Sequence, residues 1–144
     1  MSELEAFKEK FKTEKLALYE TEHWLWSLRP LQGTVGAGVL SLKRECPVFS
    51  QATREEFIDL EHMIKVIEST LQKTFEYDVI NYLMLMMVDK QVHYHIFPRY
   101  KRDIVLKGKR YIDRNWPKPP ELAGDLLATD EMLNIAEAIK KNLI

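Results

Sequence analysis

The densest group of reactive side chains is Gln91-Val92-His93-Tyr94-His95-Ile96-Phe97-Pro98-Arg99. Side chains alternate across an extended strand, so residues two apart share a face. Gln91, His93, His95 and Phe97 therefore line one side. Val92, Tyr94 and Ile96, the apolar set, face the core. An amide and two imidazoles in a row suit two chemistries. In phosphorus chemistry, a neutral imidazole attacks an α-phosphate to form a phosphoramidate, while a neighbouring donor holds the leaving group. In metal binding, His-x-His supplies two adjacent ligands, and further ligands must come from elsewhere. The other histidines, His23 and His62, have no acidic motif at a telling distance, and His62 reads as an exposed helix residue. Two histidines alternating by chance is a third reading of the spacing alone.

The elements that would position this row follow from periodicity. Residues 3–11 read as a short helix, followed by strands near Leu16–Tyr19 and Trp24–Leu28. Gln32 to Gly38 holds three glycines, permitting close approach of backbone to a ligand, but no Gly-Lys-Ser/Thr follows as a Walker loop requires. Val39–Leu42 reads as a strand. The clearest helix spans 53–75. Thr53 and Glu56 have capping-box spacing, and Phe57, Leu60, Ile64, Ile67, Leu71 and Phe75 mark its apolar face. The runs Val79–Val88 and Val92–Phe97 read as long strands joined by a tight turn at Asp89-Lys90. That turn pairs residue 81 with residue 98 and puts Asn81 on the face opposite His93, unless a bulge intervenes. Beyond Pro98 the chain is polar and basic. Trp116 to Pro120 is too proline-rich for regular structure, and Trp116 reads as a loop anchor or a cover for the site. A closing helix runs from Asp130 to Leu143.

Bulk properties bound the function. The 144 residues suit one domain, and 46% apolar content fits a folded chain. The net charge of −1, from 21 basic and 22 acidic residues, gives no reason to expect a nucleic-acid partner. The basic clusters 99–102 and 107–110 read either as a phosphate-facing patch or as solvated loops. The single cysteine, Cys46, excludes an intramolecular disulfide and reads as a structural or surface thiol. The N-terminus is charged and amphipathic, unlike a signal peptide, and Tyr82–Val88 is too short to span a bilayer. The expectation is a cytoplasmic protein with no membrane partner.

The segment from Gln91 to Arg99 resembles the signature of the histidine-triad superfamily: histidines separated by single apolar residues, then two apolar residues and often Pro-Arg. The resemblance covers roughly residues 15–100: Thr21–Trp26 is similar to the family's early strand, Val39–Arg44 to a strand ending in a basic pair, and the helix near Thr53 follows in place. It implies a divergent, bacterial-type member with an α+β fold, an antiparallel sheet flanked by helices. The whole of 1–144 then forms one domain, with the motif hairpin over 78–99 and the basic, proline-rich segment and helix over 100–144. It also implies a homodimer, a nucleotide or nucleotide-conjugate ligand, and hydrolysis or transfer at the α-phosphate through a nucleotidyl-histidine. No cofactor and no metal are implied. His93 matches the nucleophile, His95 the histidine supporting phosphate and leaving group, and Gln91 stands in place of the first histidine. The glycine-containing loop that usually precedes the motif is replaced by Met86 to Lys90, so phosphate support falls to Lys90 or Arg99. Arg29 stands roughly where relatives place a ribose-binding Asp or Asn, which implies a ligand with an extra anionic group. Ala37 stands where they often have another histidine. Asn81 is similar to a nucleotide-contacting asparagine. The alternative is a catalytically weak nucleotide-binding or regulatory module on the same fold.

Overall fold

The computed structural model describes residues 1–143. The chain runs α1 (Glu3–Phe11), β1 (Ala17–Glu20), β2 (Trp24–Leu28), β3 (Leu31–Gln32), β4 (Gly38–Leu42) and α2 (Arg54–Phe75), with a short 3-10 turn at Phe49–Gln51. It continues through β5 (Val79–Leu83), β6 (His93–Arg99), β7 (Ile104–Leu106), β8 (Lys109–Tyr111), β9 (Asp125–Leu126) and α3 (Thr129–Lys140). Five strands form an antiparallel sheet in the order β1-β2-β4-β6-β5, and β3-β9 and β7-β8 form small two-stranded pairs. This is the α+β arrangement expected. Among the described residues no helix is long and apolar enough to cross a membrane.

Helix α2 is stopped at both ends by local chemistry. Thr53 accepts from the Glu56 amide while the Glu56 carboxylate takes the Thr53 amide, and Glu76 ends the helix in the left-handed region with φ 50°. Its apolar stripe, with Met63, Ile67 and Leu71 fully buried, packs against Trp24, Trp26, Leu40, Leu42 and Ile96 from one face of the sheet. The indole N–H of Trp24 donates to Glu56 O at 2.8 Å, fixing α2 to β2. Val92, Tyr94 and Ile96 join this core, as their alternation implied.

Helix α1 lies on the opposite face. Ser2 and Glu5 cap its start reciprocally, and Lys12 ends it at φ 52°. Only Phe7 and Phe11 are buried from it, and with Val39 they form a small cluster separate from the main core.

The expected tight hairpin is corrected. β5 ends at Leu83, β6 starts at His93, and residues 84–92 form a loop in which Met87 and Val88 are exposed. Two features pull the chain away from a two-residue turn. Asp89-Lys90 lacks the glycine that such a turn favours. Residues 91 and 92 are claimed by the β4–α2 connection instead: the Val92 amide donates to Cys46 O, and Val92 O accepts from the Leu42 amide. The register consequently pairs Asn81 with Phe97, not residue 98, and a one-residue shift turns Asn81 onto the histidine face.

Sequence patterns had not marked β7 and β8. Their turn, Lys107-Gly108, has φ of 50° and 80°, the two-residue turn that a Gly at its second position signals. The basic cluster there is occupied: Lys109 pairs with Glu131 and Arg110 with Asp103. That favours the loop reading over a phosphate-facing patch.

Candidate active site

Strand register assembles the site. Ser41 lies opposite His93, Val39 opposite His95, and Ser27 opposite Val39, so Ser27, Val39 and His95 form one row across β2, β4 and β6. The next row on this face holds Arg29, whose amide donates to Ala37 O, then Phe97 and Asn81. The sheet thus carries His93, His95, Arg29 and Asn81 on a common face.

His93 is 2% exposed and His95 8% exposed, with ring centroids 4.9 Å apart. Nδ1 of His93 meets the carbonyl oxygen of Gln91. A carbonyl only accepts, so Nδ1 carries the proton and the lone pair resides on Nε2. Burial pushes the His93 pKa down, partly offset by this hydrogen bond. His95 is pushed down to about 3, first by burial, then by the charge of Arg29. Both rings are therefore neutral at physiological pH, the form a nucleophile and a hydrogen-bond donor need. Nδ1 of His95 is buried without a partner.

Helix α1 roofs the pair. The Phe7 ring lies 4.9 Å from His93, and Phe11 lies 6.0 Å from His93 and 5.7 Å from His95. Lys10 holds the helix to Asp89 at 2.9 Å, and the Leu4 amide donates to Glu45 at 3.1 Å. Under α1 a cavity of about 170 Å³ is lined in part by Lys8, Thr13, Leu25 and Ser41, with neither histidine in its lining. The contact of α1 with the histidines was not foreseen; the only sequence signal was the i, i+4 spacing of Phe7 and Phe11.

The remaining expected residues are distributed differently. Gln91 is fully buried ahead of β6, and its amide is fully engaged: it accepts from Cys46 N at 2.9 Å and donates to Leu42 O at 3.0 Å and Arg44 O at 2.7 Å. Only its backbone carbonyl meets His93. Arg99 is buried in an ion pair with Asp113 at 2.7 Å, and also donates to Asn81 Oδ1 at 3.0 Å and Lys118 O at 2.7 Å. Its guanidinium lies 5.9 Å over the Trp116 ring, which anchors the C-terminal segment on Arg99. Arg99 is thus committed to holding that segment, which corrects its expected place at a phosphate. Asn81 reaches the right face with its oxygen already taken. Lys90 is exposed on the 84–92 loop. Cys46 is buried, its thiol donating to Val48 O, and His62 is exposed. No cluster of three potential metal-binding side chains occurs among the described residues.

Arg29 stands apart. Its guanidinium lies 5.2 Å over the Phe97 ring, Nη1 donates to Leu122 O at 2.5 Å, and the buried Nε has no partner. It forms no ion pair among the described residues, and burial lowers its pKa.

No protein-family model and no curated protein matches the chain. Solved structures do. A histidine triad protein from Sinorhizobium meliloti superposes with TM-score 0.72 at 19% identity, over 92% of this chain and 93% of that one. One from Marinobacter aquaeolei gives 0.71 at 14%, over 92% of each. A diadenosine triphosphate hydrolase from Plasmodium falciparum gives 0.64 at 14%, over 97% of this chain and 95% of that one. Likeness at such identities is one of architecture, and it runs nearly end to end. The chain has the fold of the histidine-triad superfamily.

Proposed function

We propose that the protein is a nucleotide-conjugate hydrolase or nucleotidyltransferase in which His93 is the nucleophile. The observation that carries this is the Gln91 carbonyl against His93 Nδ1, which fixes the tautomer with its lone pair on Nε2. Nε2 attacks the α-phosphorus and forms a P–N bond as the bond to the leaving group breaks. The ring becomes cationic at that moment, and its Nδ1–H is already held by a carbonyl that stabilises the charge. His95, at 4.9 Å, supplies an N–H to the phosphate or leaving group. Water or an acceptor alcohol then cleaves the P–N bond and restores neutral His93. Gln91 is a positioning residue in this scheme, and a homodimer belongs to the same reading.

The fold supports the ligand class, since the Plasmodium falciparum neighbour hydrolyses diadenosine triphosphate. One observation favours the second reading, a weakly catalytic binding module: Phe7 and Phe11 cover the nucleophile. The test is AMP release from an adenosine phosphoramidate and from dinucleoside polyphosphates. Wild type should turn over and His93→Ala should lose at least ~10³-fold, since no other group replaces the nucleophile. Wild-type protein that binds nucleotides but releases no AMP across that panel sustains the binding module instead.

A further inference from the structure

Among the described residues, Ser27 Oγ, Arg29 Nε and His95 Nδ1 on the histidine face are buried with no hydrogen-bond partner. Each can donate. A buried donor left unsatisfied is costly, and folded proteins retain such groups where something else satisfies them. Arg29 adds a positive charge with no carboxylate partner among the described residues. Its reach over Phe97 is possible because the intervening residue, just ahead of β4, is Ala37, the smallest side chain with a Cβ. Phe97 is four residues along β6 from His93, ~13 Å at ~3.3 Å per residue. Arg29 therefore stands two rows along the sheet from His93 and one row beyond His95.

We propose that Arg29, with Ser27 beside it, is the receptor for a second phosphate of the ligand, separate from the reacting one. The substrate class is then a nucleotide conjugate with two separated phosphate groups. This rests on the reading of His93 as the reacting centre, and it also makes a claim of its own, that Arg29 binds an oxyanion.

The first arm of the test needs no turnover. Inorganic phosphate is titrated while the arginine Nε–H region of the proton–nitrogen spectrum is followed, with Arg29→Lys assigning the Arg29 peak by its absence. A saturable shift of that peak is expected in wild type and in His93→Ala; no saturable shift overturns the proposal. The second arm compares AMP with adenosine 3′,5′-bisphosphate, adenosine 2′,5′-bisphosphate and ADP by calorimetry. Adenosine 3′,5′-bisphosphate or adenosine 2′,5′-bisphosphate should bind about tenfold tighter than AMP, the worth of one charge-assisted contact, and tighter than ADP, whose phosphates are adjacent. Arg29→Met, which keeps the packing over Phe97, should bring that ratio to one. Equal affinities in wild type, or a preference unchanged in folded Arg29→Met, overturn it. If His93→Ala keeps full turnover while the phosphate shift persists, the nucleophile assignment fails and the anion receptor stands.

Discussion

Replacing Gln91 tests whether this position serves the substrate or the scaffold. In Gln91→Ala three hydrogen bonds vanish together, the buried ones to Cys46 N and Leu42 O and the part-buried one to Arg44 O. A net contribution of ~1 kcal/mol per bond, plus the penalty of an orphaned Cys46 amide and a small void, gives a loss of ~3–5 kcal/mol. That is a large share of the ~5–15 kcal/mol that holds a domain together. Urea unfolding followed by the fluorescence of the buried Trp24 and Trp26 reads the change directly. Gln91→Glu sharpens the test, because the new carboxylate faces two carbonyl oxygens. The folded state must keep it protonated, so its folded pKa rises above the unfolded value of ~4.3. Its contribution is retained below that value and lost as pH rises towards the folded pKa, so the variant should be more stable relative to wild type at pH 4.5 than at pH 8. A Gln91→Ala protein within ~1 kcal/mol of wild type that has nonetheless lost turnover would refute the reasoning, since a scaffold role costs stability first.

Two further outcomes follow from other buried groups. Because His95 is pushed down to about 3 and His93 is also lowered, the unfolded chain binds protons at these sites before the folded one does. Stability should be flat above pH ~6.5 and fall below it, by up to ~1.4 kcal/mol per pH unit for each histidine; urea midpoints between pH 7 and 4.5 should show a shallower slope in His95→Gln. Asp113→Ala strands the Arg99 guanidinium in the interior and should cost ~3–5 kcal/mol, seen as a lowered thermal midpoint, whereas the double change Asp113→Leu with Arg99→Met should recover most of it.

The parts legible in sequence were those governed by local periodicity. Alternation alone put His93 and His95 on one face and Val92, Tyr94 and Ile96 against the core, and the Thr53–Glu56 pair marked where α2 begins. What escaped was set by long-range competition. Residues 91 and 92 looked like the start of a strand after a tight turn, yet Leu42, Arg44 and Cys46 bind them, dozens of residues earlier in the chain. That capture lengthens the loop, moves the register by one and carries Asn81 across the sheet. The sequence placed the Gln91 side chain in the row with His93, but in the structure that side chain is turned to Leu42, Arg44 and Cys46 and only its carbonyl meets His93.

Arg29 and Arg99 make the same point about charge. Both are arginines on the histidine face; the sequence marks Arg99 as a phosphate ligand and Arg29, at the ribose position, as a sign of an extra anionic group on the ligand. Their difference is decided by the C-terminal segment, which brings Asp113 to Arg99 and only the Leu122 carbonyl to Arg29. An arginine paired with a buried carboxylate has little further use for an anion, because the pair already compensates both charges. An arginine held by one carbonyl keeps its charge uncompensated and its Nε unbonded. Sequence shows where cations can stand; which of them remains available to a ligand depends on where the acids land after folding, and here that selects Arg29.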